Sequence, residues 1–235
     1  MSSPFFYISH LADESGDLTL PEETSHHVVQ VLRMLHGEKI WLTNGKGKKL
    51  LATITEPHRK KCRVAILERY SEPESPRKTA IAISLLKNTS RFEWFLEKAA
   101  EIGISEIIPL VCERTEKHSA KTDRFKSVLV SAMLQSQQVW ITEMGPPVSF
   151  KDFCSSIKME HRYIAHCQDA GKETWEKLRP EGNGSRLVLI GPEGDFTPKE
   201  IEWAIENGWK PLSLGETRLR TETAGLVAAV LMKNL

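Results

Sequence analysis

Two short segments near the end of the chain carry the residue types best suited to chemistry. The first is Gly191-Pro192-Glu193-Gly194-Asp195-Phe196, directly after the apolar run at 187–190 and directly before Thr197-Pro198. Open α/β sheets bind ligands outside the carboxyl ends of their strands, and glycine lets the backbone approach a ligand closely. The same tetrad also suits a tight strand-to-helix turn with no ligand. The second segment, Gly215-Glu216-Thr217-Arg218-Leu219-Arg220-Thr221-Glu222-Thr223-Ala224, comes after another short apolar run at 212–214. Two such loops after successive strands can line one pocket, with Arg218, Arg220 and Glu222 in or beside it. Glu222 is equally open to a role in an Arg–Glu pair that fixes the last helix. Ala224, Gly225, Ala228 and Ala229 give that helix small side chains. They permit close packing within the subunit or across a dimer.

Charge points to a different part of the chain. The totals are 32 Lys+Arg and 31 Asp+Glu, a balance that argues against nucleic acid only if the charge is evenly spread. It is not. Residues 44–63 hold Lys46, Lys48, Lys49, Arg59, Lys60, Lys61 and Arg63 against the single acid Glu56. Brought together on a small barrel, these cations would release counterions from RNA phosphates. A solvated turn serving solubility is the other reading.

Metal and disulfide chemistry find little support. Cys62, Cys112, Cys154 and Cys167 are far apart and form no C-x-x-C pair. His26 and His27 are adjacent, so they point different ways on a helix, and no third ligand is near. Packing or an RNA-facing role suits them better than a metal. The start, MSSPFFYISH, lacks the pattern of a signal peptide, and the longest apolar stretch, 225–232, is too short to span a bilayer. No metal, no membrane and a cytoplasmic setting are expected.

Two kinds of element must position these residues. Residues 1–70 read as short strands at 5–8, 18–20, 39–43, 50–55 and 62–68, with Asn44-Gly45-Lys46-Gly47 as a hairpin signal. One helix is expected at 26–34, from an apolar stripe of Val28, Val29, Leu32 and Leu35. These elements predict a small β-barrel. After the Pro-containing stretch at 71–77, apolar runs at 80–86, 107–111, 163–167, 187–190 and 211–214 alternate with helical patterns. That alternation predicts a parallel sheet covered on both faces, and an α/β region over 71–235. Capping boxes are expected at Ser90–Glu93 and Thr197–Glu200. Trp94 and Phe95 are expected in the core. A Rossmann-type enzyme is disfavoured, because no G-x-G-x-x-G follows an early strand.

The paired segments IGPEGDFTPKE and LGETRLRTETAG resemble the closing signature of the ribosomal RNA small subunit methyltransferase E family, of the SPOUT class. Further matches are HHVVQVLRM at 26–34, NGKG at 44–47, LLKNTSRFEWFLEKAAEIGISEIIPL at 85–110, Glu113-Arg114 and Gln135-Ser136. The resemblance implies an N-terminal PUA-like RNA-binding β-barrel over 1–70. It also implies a SPOUT methyltransferase domain over 71–235 with a C-terminal trefoil knot, and a homodimer. The implied activity is S-adenosyl-L-methionine-dependent methylation of N3 of one uridine in 16S rRNA of the small ribosomal subunit.

By position, His166, Cys167, Ile190, Gly191, Pro192, Glu193, Gly194, Leu214, Gly215, Leu219 and Arg220 are implied to bind the cofactor. Lys46, Lys48, Lys49, Arg59, Lys60, Lys61 and Arg33 are the implied RNA contacts. N3 of uracil bears a proton and lies on the pairing edge, so the target must be unpaired or flipped out. Arg220 is then the candidate for steadying negative charge on the uracil, and Glu222 for the base. Three positions depart from the family pattern. Asp195 stands where a third glycine is common, Thr217-Arg218 replaces Arg-Ile, and Gln138 replaces an arginine. Two other classes stay open: an RNA-binding scaffold without chemistry, and a methyltransferase of tRNA or of a ribose hydroxyl.

Overall fold

The computed structural model describes residues 3–11, 16–117, 122–168 and 171–234. They fall into two compact units. One comprises Met1–Glu74 with Met133–Ile141, the other Ser75–Ala132 with Thr142–Leu235. Chain order alone would leave 133–141 in the second region. Backbone bonds draw it to the first: the Gly47 amide donates to the Val139 carbonyl at 2.9 Å and the Ile141 amide to the Gly45 carbonyl at 3.0 Å.

The first unit is a five-stranded sheet. Its strands are β1 (Phe5–Tyr7), β2 (Asp17–Thr19), β3 (Lys39–Thr43), β4 (Lys48–Glu56) and β5 (Arg63–Ser71), in the order β1-β3-β4-β5-β2. β1 and β2 form its edges, so among the described residues it is an open, half-barrel sheet and not the closed barrel expected. Ile40, Leu42, Leu50, Ala52 and Ile54 alternate into one core with Phe6, Val28 and Val64.

The expected helix at 26–34 departs from its pattern. Helix α1 (Glu22–His26) starts earlier and runs into a π-helical turn at His27–Val31, closed by the Leu32 amide on the His27 carbonyl at 2.9 Å. The wider turn rotates the residues beyond it relative to a regular helix. Val28 is buried, while Leu32 and Leu35 of the same sequence stripe face solvent. Arg33 then takes a left-handed φ of 56°.

The second unit is a parallel sheet covered on both faces. It contains β6 (Thr79–Ser84), α2 (Thr89–Ile102), β7 (Glu106–Val111), α3 (Thr122–Gln135, which passes into the first unit at Met133), β8 (Glu143–Met144), β9 (Val148–Ser149) and α4 (Phe150–Ser156). Next come β10 (His161–Ala165), α5 (Trp175–Leu178), β11 (Arg186–Ile190), α6 (Pro198–Glu206), β12 (Lys210–Pro211) and α7 (Thr221–Asn234). The strand order is β12-β10-β11-β6-β7-β8, with β9 also on β7. Every residue of β6 and β11 is buried. Ile81, Ile83, Val188 and Ile190 point to the cluster formed with α2, α3 and α7. Ala80, Ala82, Leu187 and Leu189 point to the one formed with α4 and α6. This explains the near-continuous apolar runs.

Local signals met mixed outcomes. The capping box at Thr197 is present, with the Glu200 amide on Thr197 Oγ1 at 3.3 Å and the Thr197 amide on Glu200 Oε2 at 2.8 Å. The box at Ser90 is not: Asn88 is the cap, accepting from the Ser90 and Arg91 amides, and Glu93 pairs with Arg124 instead. Phe95 is fully buried, but Trp94 is 43% exposed, because the buried face of α2 runs through Phe92, Phe95, Leu96 and Ala99. The run at 211–214 yields only Lys210–Pro211 as strand. Beyond it the Leu212 amide still bonds Ile164, but the Ser213 amide turns to the Glu173 carbonyl.

The small residues of α7 serve packing inside the unit. Ala228 and Ala229 are fully buried, and a Cβ at Gly225 would meet Phe95 Cε2 at 2.6 Å and Ile83 Cδ1 at 3.0 Å. Gly225→Val is therefore expected to lower the unfolding free energy by about 1–3 kcal/mol through overpacking. Urea titration followed by circular dichroism measures it. An unchanged midpoint would mean that α7 does not seat on Phe95 in solution.

Candidate functional site

Three consecutive neighbours in the sheet, β12, β10 and β11, end at a single cavity of about 660 Å³, a size suited to a small-molecule ligand. After β10 it is lined by His166 and Cys167, and after β11 by Gly191, Pro192, Glu193 and Asp195. Leu214, Gly215, Leu219 and Arg220 line it from the segment between β12 and α7, and Glu222 from the first turn of α7. Ile190, the last residue of β11, completes the floor. The structure thus brings together all of the residues proposed for a cofactor and for catalysis except Gly194. That residue turns away, its carbonyl accepting from Arg114 Nη1 at 2.8 Å.

The 191–195 turn is fixed from several sides. The Asp195 amide closes on the Pro192 carbonyl at 2.9 Å. Asp195 holds a left-handed φ of 64°, a conformation that aspartate tolerates better than most side chains. Its carboxylate accepts from the Cys167 amide at 2.9 Å, tying the β11 loop to the β10 loop. The aspartate thus meets the conformational demand of this position and adds a cross-loop tie. Gly191 is required for a different reason: a Cβ there would stand 3.0 Å from the Phe196 amide nitrogen and ring. Glu193 Oε1 accepts from the Lys87 amide at 3.3 Å, which fastens the turn to the segment leading into α2.

Charge in the lining is balanced. Arg91, Lys172, Arg218 and Arg220 stand against Glu193, Asp195, Glu216 and Glu222. Glu222 alone among these acids is buried, and its Oε1 lies 3.8 Å from Nε of Arg91. Arg91 and Lys172 were not singled out from the sequence. Arg91 had a usable signal, since it sits in the first turn of a helix that comes after a buried strand. Lys172, which donates to the His166 carbonyl at 3.4 Å, had none.

His166 is the least satisfied polar group here. It is 8% exposed, and neither ring nitrogen has a side-chain hydrogen-bond partner among the described residues. Burial pushes its pKa below the ordinary 6.5, against the opposing pull of the Asp195 carboxylate. Such a ring suits a ligand able to accept or donate one hydrogen bond in the cavity.

The cations proposed for RNA lie elsewhere, in the first unit, and they do not form one patch. Lys46, Lys48 and Lys49 sit where β3 turns into β4, a turn held by Asn44 accepting from the Lys46 and Lys48 amides at 2.8 and 3.1 Å. Lys49 Nζ rests 4.2 Å from the Trp41 ring centre. Arg59, Lys60 and Lys61 stand past the other end of β4. Its nine residues separate the two groups by roughly 27 Å. A single cluster fails because β4 and β5 extend the full length of the hairpin. Lys60 is further engaged with Glu22 at 3.2 Å. Arg33 lies just after the π-helical turn, and His27 packs edge-on to Phe6 at 5.6 Å, a packing role. Among the described residues no group of His, Cys, Asp and Glu could hold a metal, and no helix is long and apolar enough to cross a membrane.

The folded state holds His166 neutral more strongly than the unfolded chain does. The stability this represents is therefore present above the ordinary histidine value and is lost as pH falls below about 6.5. Urea midpoints measured from pH 8 to pH 5 should fall more steeply for the native protein than for His166→Gln. Parallel curves would remove His166 as the cause.

Known proteins match the chain in two parts. A family model for an RNA methyltransferase domain matches residues 73–233, and one for an RNA methyltransferase PUA domain matches residues 20–67. The ribosomal RNA small subunit methyltransferase E of Rickettsia conorii is 26% identical over 224 residues, covering 94% of this chain and 90% of the relative. A structure from Porphyromonas gingivalis, described as a probable rRNA-methyltransferase, is 34% identical. It has a TM-score of 0.87, with 96% of this chain and 95% of that one covered. The structure of a ribosomal RNA small subunit methyltransferase E from Neisseria gonorrhoeae bound to S-adenosyl methionine is 28% identical. Its TM-score is 0.88, with coverage of 98% and 97%. With a methyltransferase model over most of its length and relatives of one name along nearly all of it, this chain belongs to the ribosomal RNA small subunit methyltransferase E family.

Proposed function

We propose that the protein is an S-adenosylmethionine-dependent methyltransferase of small-subunit ribosomal RNA, and that it acts on N3 of one uridine of the 16S molecule. The observation that carries this reading is the cavity at the carboxyl ends of β10, β11 and β12, walled by the two glycine-containing loops. The Neisseria relative, similar over nearly the whole chain, is bound to S-adenosyl methionine. The residues present suit that ligand. The cavity has the volume for it, nothing lies within 4 Å of where a Cβ would stand at Gly215, and the ring of His166 is buried in its wall with no side-chain partner. His166, Cys167, Ile190, Gly191, Pro192, Glu193, Leu214, Gly215 and Leu219 would hold it.

When bound, S-adenosylmethionine supplies a methyl group on a sulfonium, which N3 takes as its own proton leaves and the sulfur becomes a neutral thioether. The chain's residues do the rest. The target base must leave its stack to reach a cavity at the strand ends. Arg220 steadies the negative charge that grows on a uracil oxygen as N3 loses its proton. Glu222, the buried acid of the lining, receives that proton. No residue in this scheme calls for a metal.

RNA binding is assigned to the first unit, on the strength of the PUA family match and the lysines of the β3–β4 turn. The finer fold expectations belong to this reading as well. A trefoil knot enters this reading through the resemblance of the two closing segments alone. A homodimer is supported by Trp94 and Val230, both exposed, on the mutually packed α2 and α7. A cytoplasmic setting accords with a ribosomal substrate.

Mass-spectrometric mapping of 16S rRNA from cells with and without the protein tests the substrate. One N3-methyluridine in the decoding region should disappear with the gene, and unchanged methylation there would refute the assignment. A second measurement concerns the basic turn. Replacing Lys46, Lys48 and Lys49 by alanine should weaken RNA binding and reduce its salt dependence by about one unit of log–log slope per lost phosphate contact. Cofactor affinity should hold. An unchanged slope would return these lysines to a solubility role.

A further inference from the structure

We infer that Arg91 and Glu222 form a donor–acceptor pair that reads the pairing edge of the target base and selects uracil over cytosine. This rests on the methyltransferase reading above and adds to it a residue, Arg91, and a specificity. The two side chains come from different helices and meet at the cavity wall. Arg91 lies in the first turn of α2, where the Asn88 side chain accepts from its amide. Glu222 lies in the first turn of α7, which packs on α2. Their side chains differ in exposure, 45% for Arg91 and 9% for Glu222. Arg91 is thus the accessible member of the pair and Glu222 the buried one, and both line the same cavity.

The separation is informative. At 3.8 Å between Nε and Oε1 the contact is an ion pair, wider than a hydrogen bond. Guanidinium N–H groups and carboxylate oxygens both keep capacity for a ligand. A row of N–H donors beside an anionic acceptor is complementary to uracil, which presents the O4 acceptor beside the N3–H donor. Cytosine presents the reverse, an amino donor beside a bare N3 acceptor, and would set donor against donor and lone pair against carboxylate. Sites built on such hydrogen bonds discriminate strongly, because the wrong ligand leaves buried polar groups unmatched. Arg218 and Arg220 do not supply this arrangement, since neither pairs with a buried acid among the described residues.

The test uses the full-length protein and small ribosomal subunits lacking the modification, prepared with uridine or with cytidine at the mapped target. Single-turnover methyl transfer and calorimetric affinity for S-adenosylmethionine are measured for the native protein, Arg91→Ala, Arg91→Lys and Glu222→Gln. Arg91→Ala should slow transfer to uridine about 100-fold, keep cofactor affinity within about twofold, and reduce the uridine-over-cytidine preference at least tenfold. Arg91→Lys, which keeps a donor, should recover part of both rate and preference. Glu222→Gln, whose amide offers either a donor or an acceptor, should lose most of the preference. If Arg91→Ala is slow but keeps the native preference, the pair only ties α2 to α7 and the inference falls. If Arg91→Ala transfers to uridine at the native rate, it falls as well. A native protein that binds the cofactor but transfers no methyl group to uridine would overturn the functional reading itself.

Discussion

The pairing of β11 with β10 on one side and β6 on the other is the constraint on which the site depends. All five residues of Arg186–Ile190 are matched in register to both neighbours, and all five are buried. A strand held on both edges and both faces cannot slide, since a one-residue slip would exchange the side chains of the two cores. The Gly191 turn is thereby delivered to one place at the carboxyl end of the sheet. The loops after β10 and β12 reach the same place because their strands continue the sheet in order. Asp195 then joins two of the three loops through the Cys167 amide. The cavity is a consequence of parallel strand order, and the segments that follow three neighbouring strands wall it.

Within that frame, polar groups are distributed unevenly. The loop acids and arginines balance one another in charge, whereas His166 and Glu222 are buried. A buried ring without a side-chain partner among the described residues and a buried carboxylate at ion-pair distance from Arg91 are costly features for a fold that needs only to pack. Both line the cavity, where the charged side chains of three loops converge. Arg186, a buried cation of the same unit, is spent differently. Its guanidinium donates to the carbonyls of Met232, Pro180 and Gly182 and lies over the Trp175 ring, so it braces the opposite end of the sheet.

Much of this was legible in the sequence, and the reasons are specific. β6 and β11 show as apolar runs because both faces of each are covered, and the Thr197 capping box shows because its partners are three residues apart. The two loops proposed for the cofactor are contiguous segments, so their glycines, acids and arginines could be read as motifs. What escaped were features set by a competitor or by distance along the chain. Asn88 displaced Ser90 as cap, and the π-helical turn after His26 put Leu32 and Leu35 outside. The length of β4 divided a basic window that is continuous in sequence into two ends of one sheet.

The sequence by itself determined the parallel α/β architecture of the second unit, the positions of its two cavity-lining loops and the family to which the chain belongs. These depend on local periodicity and on short contiguous motifs, which survive in one dimension. Only the tertiary structure decided that Arg91 of α2 stands beside Glu222 of α7, 131 positions later in the numbering. It also decided that His166 has no side-chain partner among the described residues, that Asp195 bridges two loops, and that residues 133–141 belong with the first unit. Each of these is a meeting of segments distant in the chain. Such meetings arise from strand order and helix packing, which no window of the sequence contains.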